Sequence, residues 1–180
     1  MKIKYNSPII LSYSLISLAA LLFSSNSLMG QWFTSPSNIS LSNPLFYLRS
    51  IAYIFGHASW SHLMGNLTLI LLVGPLLEEK VGSSNLLEMI CITAISTAIL
   101  NALLFSSSLI GGSGIAFMLI LLSSFSNIKS GEIPLTFILV AILFIGGEVV
   151  SIIKADSISQ FSHIFGGFVG ACYGLLRKVR

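Results

Sequence analysis

Four polar residues stand out because apolar surroundings make each of them costly: Ser113, inside Gly111-Gly112-Ser113-Gly114, then His62, Asn66 and His163. Together they could carry out acyl transfer. A serine hydroxyl is a poor nucleophile until a neutral imidazole takes its proton, and the tetrahedral intermediate then needs donors for its oxyanion. Ser113 with His163 would supply nucleophile and base. The Asn66 amide, the His62 imidazole and the Ser113 backbone N–H would supply the donors, with Gly111 and Gly112 leaving room for a scissile carbonyl. A plainer reading stands beside each. Ser113 could cap a helix, His62 and Asn66 could be hydrogen-bonding glue between helices, and His163 could be structural. Which reading holds depends on the elements that carry them.

Of the 180 residues 54% are hydrophobic and 8% charged, with a mean hydropathy of +0.93. A soluble domain of this length carries roughly a quarter charged residues. The composition therefore specifies an all-α polytopic membrane protein, a single domain over 1–180 with no soluble domain appended. The net charge of +3 reflects topology rather than nucleic-acid binding. Cys91 and Cys172 lie inside apolar runs, as small buried hydrophobes rather than a disulfide framework.

A membrane helix needs about 20 largely apolar residues. Six segments qualify, at about 8–28, 59–78, 86–106, 113–127, 133–153 and 159–176, with a long first external loop over 29–56. The first could pass for a signal peptide, but Ser24 to Gly30 is a poor cleavage site. With both termini cytoplasmic, Lys2, Lys4, Lys80, Lys129, Arg177, Lys178 and Arg180 lie inside and only Arg49 and Lys154 outside, a positive-inside bias. Spans two, four and six then run inward. The fourth is short, since Ser113 lies 14 residues before Asn127, or about 21 Å at 1.5 Å per residue. The Ser106–Gly112 loop is therefore expected to dip into the membrane, with Ser113 at the floor of a wet pocket.

Depth ties the four residues together. His163 also lies 14 residues before the cytoplasmic edge of its span, at Arg177, and His62 and Asn66, 16 and 12 residues before Glu78, bracket the same level. His62 and Asn66 are spaced i, i+4 and share a helix face. His163, Gly166, Gly170 and Gly174 form a stripe that would press span six against a neighbour. If that neighbour is span four, where Gly114 also lacks a side chain, His163 can reach Ser113. No carboxylate lies at this depth: Glu148 is nearer the outer end of span five, and Asp156 is in a loop. A Ser113–His163 dyad is the economical proposal.

At this point the chain resembles the rhomboid family of intramembrane serine proteases, over roughly residues 47–176. His57-Ala-Ser-Trp-Ser-His62-Leu-Met-Gly-Asn66 is similar to the family's span-two motif, and Gly74-Pro-Leu-Leu-Glu78-Glu-Lys-Val-Gly82 to its GxxxExxxG signature. Gly111-Gly112-Ser113-Gly114 is similar to GxSG, and His163-Ile-Phe-Gly166 with Gly170 to the final-helix motif. The resemblance implies Ser113 as nucleophile, His163 as base and His62 with Asn66 at the oxyanion. It also implies cleavage within or beside the membrane helix of single-pass or polytopic substrates, in a site open to the non-cytoplasmic side of a bacterial inner membrane. The bare core looks like the minimal six-span prokaryotic type.

Trp32, Phe33, Phe46 and Tyr47 would seat the first external loop at the interface. Leu48-Arg49 stands where the family has Trp-Arg, Phe117 where tyrosine is frequent, and Ser162 where alanine is common. Phe117 could still pack under His163.

Three rivals are weaker. A metal enzyme would use His57, His62 and His163, but His57 falls outside the span and no carboxylate joins them, so neither a metal nor another cofactor is expected. His57 is read as structural, and Glu78 with Lys80 as a cytoplasmic-end contact. A rhomboid-like protein that binds membrane clients without cutting them would have lost the serine or the histidine. A transporter would show paired internal repeats. The sequence says nothing of oligomeric state.

Overall fold

Glu78 organises one end of the protein. In the computed structural model, which describes residues 5–125, 157–176 and Leu135, Ile138, Leu139 and Ile142, helix α1 (Pro8–Phe23) starts with no side-chain cap of its own. A helix start leaves backbone N–H groups without partners. Here the buried carboxylate of Glu78 accepts from both Ile9 and Ile10 N at 3.0 Å, so a charge offsets the positive end of the helix. Ser83 Oγ donates to the same carboxylate at 2.6 Å. Glu78 belongs to α4 (Trp60–Val81), which runs antiparallel to α1. One turn earlier, Gly74 lies so close to Ile10 that a methyl there would overlap it. Gly82, at φ +85°, then turns the chain directly into α5 (Ser83–Leu104). Gly74, Glu78 and Gly82 thus each have a separate mechanical task.

Every regular element among the described residues is helical. α4 and α5 are long and apolar enough to cross a membrane, and α1 is shorter. The expected first span of 8–28 is divided: α1 ends at Phe23, and Ser25 caps a separate short helix, α2 (Asn26–Trp32), by accepting from Leu28 N at 3.3 Å. A serine oxygen at that position competes with continuation of the preceding helix. The long loop expected over 29–56 is largely helical, with α3 (Pro44–Ala52) and a 3-10 turn (Tyr53–Phe55) after α2. Tyr47 and Trp32 are exposed, but Phe46 is buried. It packs inward because it stands on the opposite face of α3 from the exposed Leu48.

α6 (Ser113–Phe125) and α7 (Ser157–Leu176) make the most intimate helix pair. α6 has 13 described residues, about 20 Å of helix, and its N-terminus is the glycine loop. The expected fifth span, 133–153, with Glu148 and Lys154, lies outside the described residues except for Leu135, Ile138, Leu139 and Ile142, and so do Lys2, Lys4, Asn127, Lys129 and the C-terminal basic residues. The central core draws on Ile10 and Tyr13 of α1, Leu63, Leu67 and Ile70 of α4, Met89 and Ala94 of α5, and Met118, Leu119 and Leu122 of α6. Cys91 and Cys172 are free and half-buried.

Candidate active site

The 3-10 turn is the hub of the site, because each of its carbonyls takes a donor from a different part of the chain. Tyr53 O accepts from Gly111 N at 3.0 Å, fixing the glycine loop. Ile54 O accepts from the buried Tyr13 hydroxyl at 2.6 Å, tying in α1. Phe55 O lies 3.1 Å from His57 Nδ1. A single turn of backbone thereby sets the relative positions of α1, the glycine loop and the residues leading into α4.

α4 starts cleanly because Ser59 caps it, accepting from His62 N at 3.2 Å. His62 therefore sits in the first turn and Asn66 one turn further in, on the same face. Their side chains lie over Gly111. A methyl there would fall 2.6 Å from His62 Cε1, 2.8 Å from Nε2 and 3.6 Å from Asn66 Nδ2. Gly111 also has φ +117°, a conformation that side chains resist. Both facts demand glycine. Gly112 is equally constrained, since a methyl there would overlap the Tyr13 hydroxyl. The loop is held from outside as well: Ser35 N donates to Leu109 O at 2.8 Å, and Leu109 N donates to Ser35 Oγ at 2.7 Å. Arg49 supports Ser35 from behind, through the Thr34 and Ser35 carbonyls at 2.8 and 3.1 Å and Thr34 Oγ1 at 2.7 Å.

On the other side, Ser113 begins α6 and is half-buried. Gly114 and Gly166 bring α6 and α7 into backbone contact, so that a methyl at Gly166 would overlap the Gly114 carbonyl. One turn on, Gly170 lies equally close to the Met118 backbone. This seam aligns His163 with the face of α6 that carries Ser113 and Phe117. The His163 ring packs against Phe117 in a tilted contact, with centroids 4.6 Å apart and planes at 42°, and Phe117 is one helical turn from Ser113. Ser162 is buried, its carbonyl 3.0 Å from where a Gly114 methyl would stand. The neighbour of α7's glycine stripe is thus α6, the fourth expected span.

Ser113, Phe117 and His163 therefore gather on one side of the glycine loop, and His62, Asn66 and Gly111 on the other. His57 joins the second group. It is buried, its Nε2 lies 3.0 Å from Asn66 Nδ2, and its ring meets His62 edge-on at 5.1 Å. Nothing in the side-chain spacing marked this contact, and nothing local marked Tyr13 or Ser35, which act through residues 41 and 74 positions away. Lying in the loop ahead of α4, His57 is held neutral: burial pushes it down to about 4, His62 adds to the effect, and the Phe55 carbonyl opposes it.

The described residues thus form a helical bundle in which a polar serine–histidine cluster lies beside a glycine loop and two helices are, by length and composition, able to cross a membrane. The Rhomboid domain sequence model matches residues 46–179, which takes in His57, His62, Asn66, Ser113 and His163. The chain belongs to the rhomboid family of intramembrane proteases, integral membrane proteins that act on membrane-protein substrates in the bilayer. No individually curated protein matches it.

Proposed function

We propose that the protein is an intramembrane serine endopeptidase working through a Ser113–His163 dyad. His163 takes the Ser113 proton as Oγ attacks the scissile carbonyl. His62, Asn66 and the Ser113 N–H stabilise the oxyanion above Gly111. His163 then returns the proton to the leaving amine, and water releases the acyl group by the same route in reverse. The observation that supports this reading is the convergence on the glycine loop: α7's histidine packs against Phe117, one turn below Ser113, from one side, and α4's donors cover Gly111 from the other.

The substrates on this reading are transmembrane-anchored proteins cut within or beside their membrane helix. The protein would sit in a bacterial inner membrane as a minimal six-span bundle, with both termini cytoplasmic and the site open to the outside, as the distribution of lysine and arginine supports. The metal reading is disfavoured because both ring nitrogens of His57 already have partners, Phe55 O and Asn66 Nδ2. Reconstituted protein should cleave a model transmembrane substrate and be labelled at Ser113 by a fluorophosphonate. Ser113→Ala should abolish both, and His163→Ala should reduce cleavage by at least ~10³-fold. Undiminished cleavage by either variant would sink the dyad. Loss with a chelator and recovery with zinc would favour the metal enzyme, and labelling without cleavage of any membrane substrate a client-binding factor.

A further inference from the structure

We propose that His57 is a positioning residue that orients the Asn66 amide as an oxyanion donor. The inference rests on the Ser113–His163 reading and extends it to a residue that has no contact with substrate.

A backbone carbonyl can only accept, so the 3.1 Å contact with Phe55 O requires a proton on His57 Nδ1. In the neutral ring Nε2 is then an acceptor, and the Asn66 group 3.0 Å away must be the amide nitrogen. The reverse orientation, with Asn66 Oδ1 facing the ring, would need a proton on both nitrogens and hence a charged imidazolium. His57 is 1% exposed, and an uncompensated charge there is expensive. Phe55 O thus fixes the His57 tautomer, and the tautomer fixes which end of the Asn66 amide faces it.

That choice matters for chemistry. Only the nitrogen end of an amide can donate to an oxyanion. With one N–H held by His57, rotation about the terminal bond of Asn66 is blocked and the second N–H stays with an amide nitrogen near Gly111, 3.6 Å from where a methyl on that glycine would stand. A donor preorganised in this way costs no reorientation when charge develops. Freed from His57, Asn66 could present its oxygen to the developing anion instead, which would repel it.

A double-mutant cycle on reconstituted full-length protein tests this, with kcat and KM measured separately on one transmembrane substrate. Asn66→Ala should lower kcat by about 10²-fold, the usual effect of losing one oxyanion donor. His57→Phe, which keeps the ring volume but removes the acceptor, should lower kcat nearly as much and leave KM within about twofold. The double variant should be no worse than Asn66→Ala alone, because both changes remove the same interaction. His57→Gln, whose amide oxygen can accept from Asn66, should recover most of the rate.

Additive losses, or a His57→Phe effect confined to thermal stability, would overturn the inference. If His57→Phe does not fold, His57→Ala, whose cavity admits water, completes the same cycle. Ser113→Ala is run in parallel: if it retains cleavage, the dyad itself fails and the inference with it, whereas an inert Ser113→Ala with an additive cycle overturns only the role of His57.

Discussion

The two sides of the glycine loop are built by different physics. The side proposed to carry the nucleophile, α6 against α7, is set by shape: Gly114 meets Gly166 backbone to backbone, and Gly170 lies against Met118. The side proposed to hold the oxyanion is set by hydrogen bonds: Phe55 O to His57, His57 to Asn66, and Tyr53 O to Gly111. Within a membrane no hydrophobic force drives helices together, so close packing by small residues takes its place. An oxyanion donor needs orientation as well as proximity, and only a directional bond supplies that. The first side should therefore be sensitive to single methyl groups, and the second to acceptors and to pH.

Among changes to the framework that holds the two sides, rather than to the dyad itself, the largest effect is expected from Gly166→Ala. Its methyl would overlap the Gly114 carbonyl, a backbone atom that cannot swing aside. α7 would have to shift by the better part of an ångström and carry His163 away from Ser113. A misplacement of about 1 Å costs on the order of 10²-fold in rate, so cleavage should fall by about that factor while α4 and its donors keep their places. Fluorophosphonate labelling should slow in parallel. A Gly166→Ala protein that cleaves at the wild-type rate would show that the seam does not position the dyad.

Much of this was legible in the sequence, for reasons that differ by element. The α6–α7 seam could be anticipated because the stripe of Gly166 and Gly170 repeats at helical spacing, and that periodicity directly encodes a contact face. His62 and Asn66 were readable for the same reason. The division of the first segment at Ser24-Ser25 was harder to see, because the residues on both sides are apolar enough to continue one helix and two serines shift the balance. Phe46 was assigned to the interface by its type, whereas its face of α3 decides its burial. Ser35, Tyr13 and the His57–Asn66 bond depend on how the turn at Tyr53–Phe55 packs, and backbone carbonyls leave no trace in side-chain spacing.

An effect of middle size should appear in the pH dependence of stability. His57 titrates at about 4 in the folded protein, against an ordinary value near 6.5 once unfolded. Between these limits the unfolded chain binds the extra proton and the folded chain does not, so stability is fully present above about pH 6.5 and falls as pH drops toward 4. The full difference amounts to about 3 kcal/mol. Equilibrium unfolding in detergent or bicelles from pH 7 to 4 should show this slope in the wild type and a shallower one in His57→Gln, whose amide does not titrate. His62 and His163 are common to both proteins, so the difference between the curves isolates His57. Coincident curves would mean that the oxyanion side is not held by a neutral imidazole.

The smallest effect is the most discriminating control. Gly65 precedes Asn66 on α4 and belongs to the oxyanion side by position, yet it is exposed and a methyl there would meet nothing within 4 Å. If glycines mattered throughout the site for flexibility alone, Gly65→Ala should impair cleavage much as Gly166→Ala does. If the two sides are held as described, the methyl at Gly65 has no neighbour to displace, and Asn66 stays anchored by His57. Alanine also favours the helical conformation by up to about 1 kcal/mol relative to glycine, so α4 should be unchanged or slightly firmer. Cleavage by Gly65→Ala should remain within about twofold of wild type, since an exposed change away from such contacts shifts energies by only about 0.5 kcal/mol. A loss approaching that of Gly166→Ala would show that α4 must flex or pack there, and the division between a shape-held and a bond-held side would have to be abandoned.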